Sequence, residues 1–139
     1  MDWKKESIEQ LKEYAQRQEA LKNLAERYEG LDYEIAQIQK EAASLTPEKR
    51  SRLLSAVAEK EHLRRNYTMT KQMVDLTRKG LSSLNKEQLQ VLDGFYIHRE
   101  MNHAEHLMEK LYVEKSKLYT MKDEALHKFT VTMYGMTES

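Results

Sequence analysis

The stretch that decides the reading is Asn85 to Phe129, NKEQLQVLDGFYIHREMNHAEHLMEKLYVEKSKLYTMKDEALHKF. Its apolar residues fall into three runs: Leu89, Val91, Leu92, Phe95 and Tyr96; then Ala104, Leu107, Met108 and Leu111; then Leu118, Met121, Ala125, Leu126 and Phe129. Steps of mostly three and four residues put each run on one face of a helix. Asn85 with Gln88 three residues on has the form of a capping box and starts a helix reaching about Arg99. Asn102 with Glu105 repeats the pattern for a shorter helix. Leu111-Tyr112-Val113-Glu114 then leaves room only for a tight turn before a helix over about Lys115 to Thr130. Two helices joined so closely have the layout of a helix-turn-helix.

Upstream, residues 1–82 read as a helical hairpin. In the first helix Ile8, Leu11, Ala15, Leu21, Leu24, Tyr28, Leu31, Ile35, Ile38 and Ala42 form one stripe, interrupted by Gln18 and weakened by Gly30. Thr46-Pro47-Glu48 has the chemistry of a helix start: a hydroxyl cap, a proline at the first helical position, and an acid near the positive end of the dipole. The second helix carries Leu53, Leu54, Val57, Leu63, Tyr67, Met73, Leu76 and Leu81, with Gly80 after Arg78-Lys79 as its expected end. A short connection makes the two helices antiparallel neighbours. The fold class expected is all-α, with a self-associating hairpin over 1–82 and a three-helix domain over 83–139.

Composition narrows the function classes. Hydrophobic residues make up 40% and charged residues 33%, with four Gly and one Pro, which favours long amphipathic helices over a β-sandwich. There is no cysteine, so disulfides and thiol catalysis are excluded. Neither a membrane span nor a signal peptide is visible, and a cytoplasmic location in a bacterial host is expected. The 23 basic and 23 acidic side chains cancel, which argues against a strong non-specific hold on nucleic acid. Over residues 85–139 the count is seven Lys/Arg against nine Asp/Glu. His103 and His106 are three apart on one helix face, yet without a third ligand at a set spacing they read as surface residues, and no metal is expected. With no phosphate-cradling glycine loop and no nucleophile motif, neither an enzyme nor a cofactor is expected.

Leu111-Tyr112-Val113-Glu114-Lys115-Ser116-Lys117-Leu118-Tyr119, ending in Lys122-Asp123-Glu124-Ala125-Leu126, resembles the helix-turn-helix of sigma-factor region 4. Leu84 to Leu92 with Phe95-Tyr96 is similar to the helix that precedes it in that family. Small late-gene regulators of Gram-positive phages, the ArpU/RinA type, carry this kind of domain. Two positions depart from the pattern: Tyr112 stands where glycine is usual, and Glu114 where a serine caps the recognition helix.

The resemblance implies a phage or prophage transcription regulator that binds double-stranded DNA. Lys115, Ser116, Lys117, Tyr119, Thr120 and Lys122 would then form the exposed side of the recognition helix. A two-helix hairpin has a single seam, so a homodimer is expected through Leu21, Leu24, Tyr28, Leu31, Ile35, Ile38, Leu54 and Val57. The neutral charge leaves a second class open, a non-catalytic adaptor or inhibitor docking on RNA polymerase or another host factor.

Overall fold

The computed structural model describes residues 1–41 and 45–138. Among them five α-helices follow in order: α1 (Trp3–Lys40), α2 (Pro47–Ser82), α3 (Lys86–Leu92), α4 (His103–Leu111) and α5 (Lys115–Tyr134). A π-helical segment, Asp93–Ile97, continues α3. The fold is all-α, an antiparallel hairpin of α1 and α2 followed by a helix-turn-helix arrangement. Ala42, counted in the first stripe, lies outside the described residues. No helix among those described is long and apolar enough to cross a membrane.

Packing divides the chain into two compact units. One is Gln18–Gln72, made of hairpin alone; the other joins Met1–Arg17 to Met73–Ser139. The sequence boundary near residue 82 is thus a helix end, while the packing boundary falls inside both long helices.

In the Gln18–Gln72 unit the seam has a coiled-coil period. Leu21, Leu24, Tyr28, Leu31, Ile35 and Ile38 on α1 alternate steps of three and four, and all are at least partly buried. On α2 the matching set is Leu53, Ala56, Lys60, Leu63, Tyr67 and Thr70. Leu31, Ala56 and Leu63 form the buried centre, with Leu24, Tyr28 and Ile35 against them. Polar seam positions are tolerated because they find partners. Lys60 lies 5.1 Å from the centroid of the Tyr28 ring and pairs with Asp32. Ion pairs run across the antiparallel helices: Arg52 grips Glu34 through two bonds of 2.5 and 2.6 Å, Lys49 meets Glu41 at 2.5 Å, and Arg27 meets Glu59 at 3.6 Å. Leu54 and Val57, read from the sequence as part of the second stripe, lie off this seam at 69% and 49% exposure. Helix α2 starts as expected, with Thr46 Oγ1 accepting from the Lys49 amide at 3.2 Å and Pro47 as its first residue.

The other unit is built around α5. Leu118, Ala125 and Phe129 on that helix are fully buried, as are Leu11 of α1, Val91 and Leu92 of α3. Gly80 does not end α2, which continues to Ser82. It is buried, and a Cβ there would sit 2.6 Å from Phe129 Cε2 and 2.8 Å from Met133 Cγ, so the glycine exists for a close approach of α2 and α5. Thr77 and Thr130 are buried beside these residues and stay satisfied by donating to the carbonyls of Met73 and Leu126. The Trp3 ring stacks on Tyr134 at 4.7 Å, and its backbone amide donates to Thr137. Leu89, placed on the buried face of α3 by its spacing, is instead 37% exposed.

Candidate nucleic-acid interface

The capping box at Asn85 forms in full. The Asn85 side chain accepts from the Gln88 amide at 2.8 Å, and the Gln88 side chain accepts from the Asn85 amide at 3.0 Å. The α-helix that follows does not reach Arg99. After Leu92 it widens into the π-helical turn Asp93–Ile97, and the chain breaks at His98 (φ −121°, ψ 58°). Gly94 in that turn leaves room for α4: a Cβ there would lie 2.8 Å from Leu107 Cδ1. The widened turn carries Phe95 into the core of the unit, where Val91, Phe95, Leu107 and Leu118 are buried together.

Asn102 does not act as the second capping box. It adopts the left-handed conformation (φ 59°, ψ 33°), and its side chain makes no cap bond. A cap needs extended backbone for its oxygen to reach back to the amides, and the reversal after the π turn uses the left-handed tolerance of asparagine instead.

Helix α4 closes at Tyr112, also left-handed (φ 55°, ψ 46°). Its amide and that of Val113 both donate to the Met108 carbonyl, the Val113 bond at 3.1 Å. This is a Schellman-type closure, and Val113 and Met108 both pack on the Val91–Phe95–Leu107–Leu118 cluster, supplying the apolar contact such closures carry. Glu114 is then extended (φ −81°, ψ 165°) and starts α5 through its carbonyl, which accepts from the Leu118 amide at 2.9 Å. Its side chain makes no cap bond, so the first turn of α5 keeps amides without a side-chain acceptor.

Leu118 anchors α5 into the cluster and turns the first turn of the helix outward. Lys115, Ser116 and Lys117 are exposed, and among the described residues no ion pair or hydrogen bond draws their side chains inward. Thr120 is exposed, but its hydroxyl donates to the Ser116 carbonyl at 3.0 Å, so it offers lone pairs rather than a proton. Tyr119 packs edge-on against Phe95 at 5.5 Å and presents only part of its ring. Lys122 is turned in: its ammonium lies 5.4 Å from the Tyr119 centroid, 5.9 Å from that of Phe95, and 2.9 Å from Asp123 Oδ1. Burial alone would lower its pKa, but the bond to Asp123 and the phenols of Tyr96 and Tyr119 hold it above the ordinary lysine value. Burial in turn pushes the Tyr96 phenol up.

The six residues expected on the reading side therefore separate into two groups. Lys115, Ser116, Lys117 and Thr120 face solvent, while Tyr119 and Lys122 join an aromatic cluster centred on Phe95, which also takes the His103 ring edge-on at 4.9 Å. Sequence reasoning missed Tyr112 as a surface feature; its ring is 94% exposed beside this first turn. The only signal was a tyrosine at a position where the resemblance expects glycine. The eight residues expected to self-associate separate as well. The six on α1 line the hairpin's own seam, and Leu54 and Val57 on α2 remain open.

Compared with protein-family profiles, with curated proteins and with solved structures, the chain finds no match in any of the three.

Proposed function

We propose that the chain is a transcription regulator of the phage or prophage kind that binds double-stranded DNA through α4 and α5. One observation carries this reading. The rod is broken at Tyr112–Glu114, Leu118 is buried beneath the break, and Lys115, Ser116 and Lys117 stand free on the first turn of the second helix. The second helix of such a pair meets base edges with its N-terminal residues. Lysine ammonium groups and a serine hydroxyl, next to helix amides without a side-chain cap, suit phosphate oxygens and the acceptor edge of guanine. The reaction is recognition alone, with no bond made or broken.

Two copies would present two recognition helices at fixed spacing, as palindromic sites require. Leu54 and Val57 support self-association along α2, because the hairpin leaves them in water while it consumes the α1 stripe internally.

A second reading is favoured by the charge. Seven basic against nine acidic residues over 85–139 suit an adaptor that docks on RNA polymerase or another host factor. Titration of random and genomic duplex DNA over a range of salt separates the two. For DNA binding, log K falls with log salt by roughly 0.9 per phosphate neutralised. Replacing Lys115 and Lys117 together by Glu should abolish binding with helicity intact. An absence of binding at low salt would transfer the proposal to the adaptor.

A further inference from the structure

Three residues of the described chain have positive φ: Asn102, Tyr112 and Gly135. Glycine and asparagine are the residues that accept this conformation at little cost, and they occupy two of the three positions. Tyrosine occupies the third, at the turn between α4 and α5. Nothing among the described residues repays its ring, which is 94% exposed, the most open of the large apolar side chains described. The neighbour that the turn does need for packing is Val113, which joins the core cluster. Glycine at 112 would close α4 with the same two backbone bonds and remove an aromatic ring from water. A strained backbone position that holds a large side chain out in solvent points to a use outside the fold.

Its position says what that use is. Tyr112 lies three residues before Lys115, with exposed Lys110 on one side in sequence and the Lys115-Ser116-Lys117 turn on the other. We infer that Tyr112 is a contact residue of the DNA interface, its ring lying on a deoxyribose and its hydroxyl donating to a phosphate oxygen at the edge of the groove that α5 enters. This rests on the DNA reading above and adds to it a residue that is uncharged. A duplex is preferred over a protein as the partner because exposed Lys110, Lys115 and Lys117 flank the tyrosine in sequence, outnumbering exposed Glu109 and Glu114, and cations beside a ring suit a surface of sugars and phosphates.

The test compares Tyr112→Gly, Tyr112→Asn and Tyr112→Phe with the parent chain, in thermal melting and in duplex-DNA titration over several salt concentrations. Glycine and asparagine both accept positive φ, so both variants should melt at or above the parent. Their affinity should fall roughly tenfold, the size of one good polar and packing contact. Phenylalanine, which keeps the ring, should retain more affinity than either. Because tyrosine carries no charge, the slope against salt should stay as in the parent, whereas Lys117→Glu should flatten it. Full affinity in Tyr112→Gly, alongside loss in Lys117→Glu, would overturn the assignment of Tyr112 and leave the DNA reading standing. A lowered melting temperature in both the glycine and asparagine variants would also overturn it, by giving the ring a structural role. No duplex binding by the parent at low salt would remove the DNA reading and Tyr112 with it.

Discussion

Two glycines in the long helices provide a paired experiment with opposite signs. Glycine in a helix interior costs roughly 0.5–1 kcal/mol relative to alanine. At Gly30 an added Cβ meets no heavy atom within 4 Å, so Gly30→Ala should return that amount, about 1 kcal/mol of added stability. At Gly80 the same Cβ would lie 2.6 and 2.9 Å from two ring carbons of Phe129 and 2.8 Å from Met133 Cγ. Carbon atoms rest about 3.5–4.0 Å apart, so a shift of roughly 1 Å is required. Met133 can turn a flexible side chain aside, but Phe129 is fully buried and has nowhere to go. Overpacking of that kind costs about 1–3 kcal/mol, which outweighs the helix-propensity gain. Gly80→Ala should therefore destabilise by about 1 kcal/mol, and the two variants should differ by roughly 2 kcal/mol. Urea denaturation measures this through far-UV circular dichroism for the whole chain. Fluorescence of Trp3, the only tryptophan, reports the unit that contains Gly80 through its stacking on Tyr134. If Gly80→Ala stabilises the chain as much as Gly30→Ala, the close approach of α2 to α5 is wrong, and with it the reason given for a glycine inside a helix.

Four further outcomes are expected. Asn85→Ala removes the side-chain acceptor of the capping box, keeping only the bond from the residue-85 amide to the Gln88 side chain, and should lower stability by about 1 kcal/mol, seen as an earlier urea midpoint. Leu118→Ala, at a fully buried position beneath the candidate reading turn, should cost about 2–5 kcal/mol, and hydrogen exchange of the α5 amides should speed up. Hydrogen bonding from Arg52 is the main cause holding the Glu34 carboxyl below its ordinary pKa, against a smaller opposing effect of burial. A lowered folded-state pKa means that the pair's contribution is present above the ordinary carboxylate range and is lost as pH falls through the folded value. In a carbon-13 titration, Arg52→Gln should move the Glu34 midpoint back up, with little change in melting temperature because the pair is exposed. Leu54→Glu with Val57→Glu should leave the fold unchanged and yield monomer in sedimentation at concentrations where the parent associates; equal association in both would remove α2 as the contact.

Much of the helix plan was legible locally. The starts at Pro47 and Asn85 depend on side chains reaching amides three residues away, and both formed as their sequences imply. The turn expected at Leu111-Tyr112-Val113-Glu114 also formed, with α4 ending at Leu111 and α5 starting at Lys115. The misreadings fall where a local signal competes with a distant partner. Leu54 and Val57 are more apolar than Lys60 and Thr70, yet the seam takes the latter pair, since a 3.5-residue period and not hydrophobicity alone chooses which side chains face α1. Asn102 and Glu105 have the composition of a capping box, but the π turn before them delivers the chain at a left-handed angle that the cap cannot use.

The sequence by itself determined the helical class, two of the caps and the turn that separates α4 from α5, because these are settled by contacts between residues a few positions apart. Only the tertiary structure decided that Gly80 belongs inside a helix, that Lys122 folds onto Phe95 and Tyr119 while Lys115 and Lys117 stay in water, and that Tyr112 projects its ring into solvent. Each of these depends on which atoms arrive from far along the chain, and spacing within one helix carries no information about the surface that will be pressed against it.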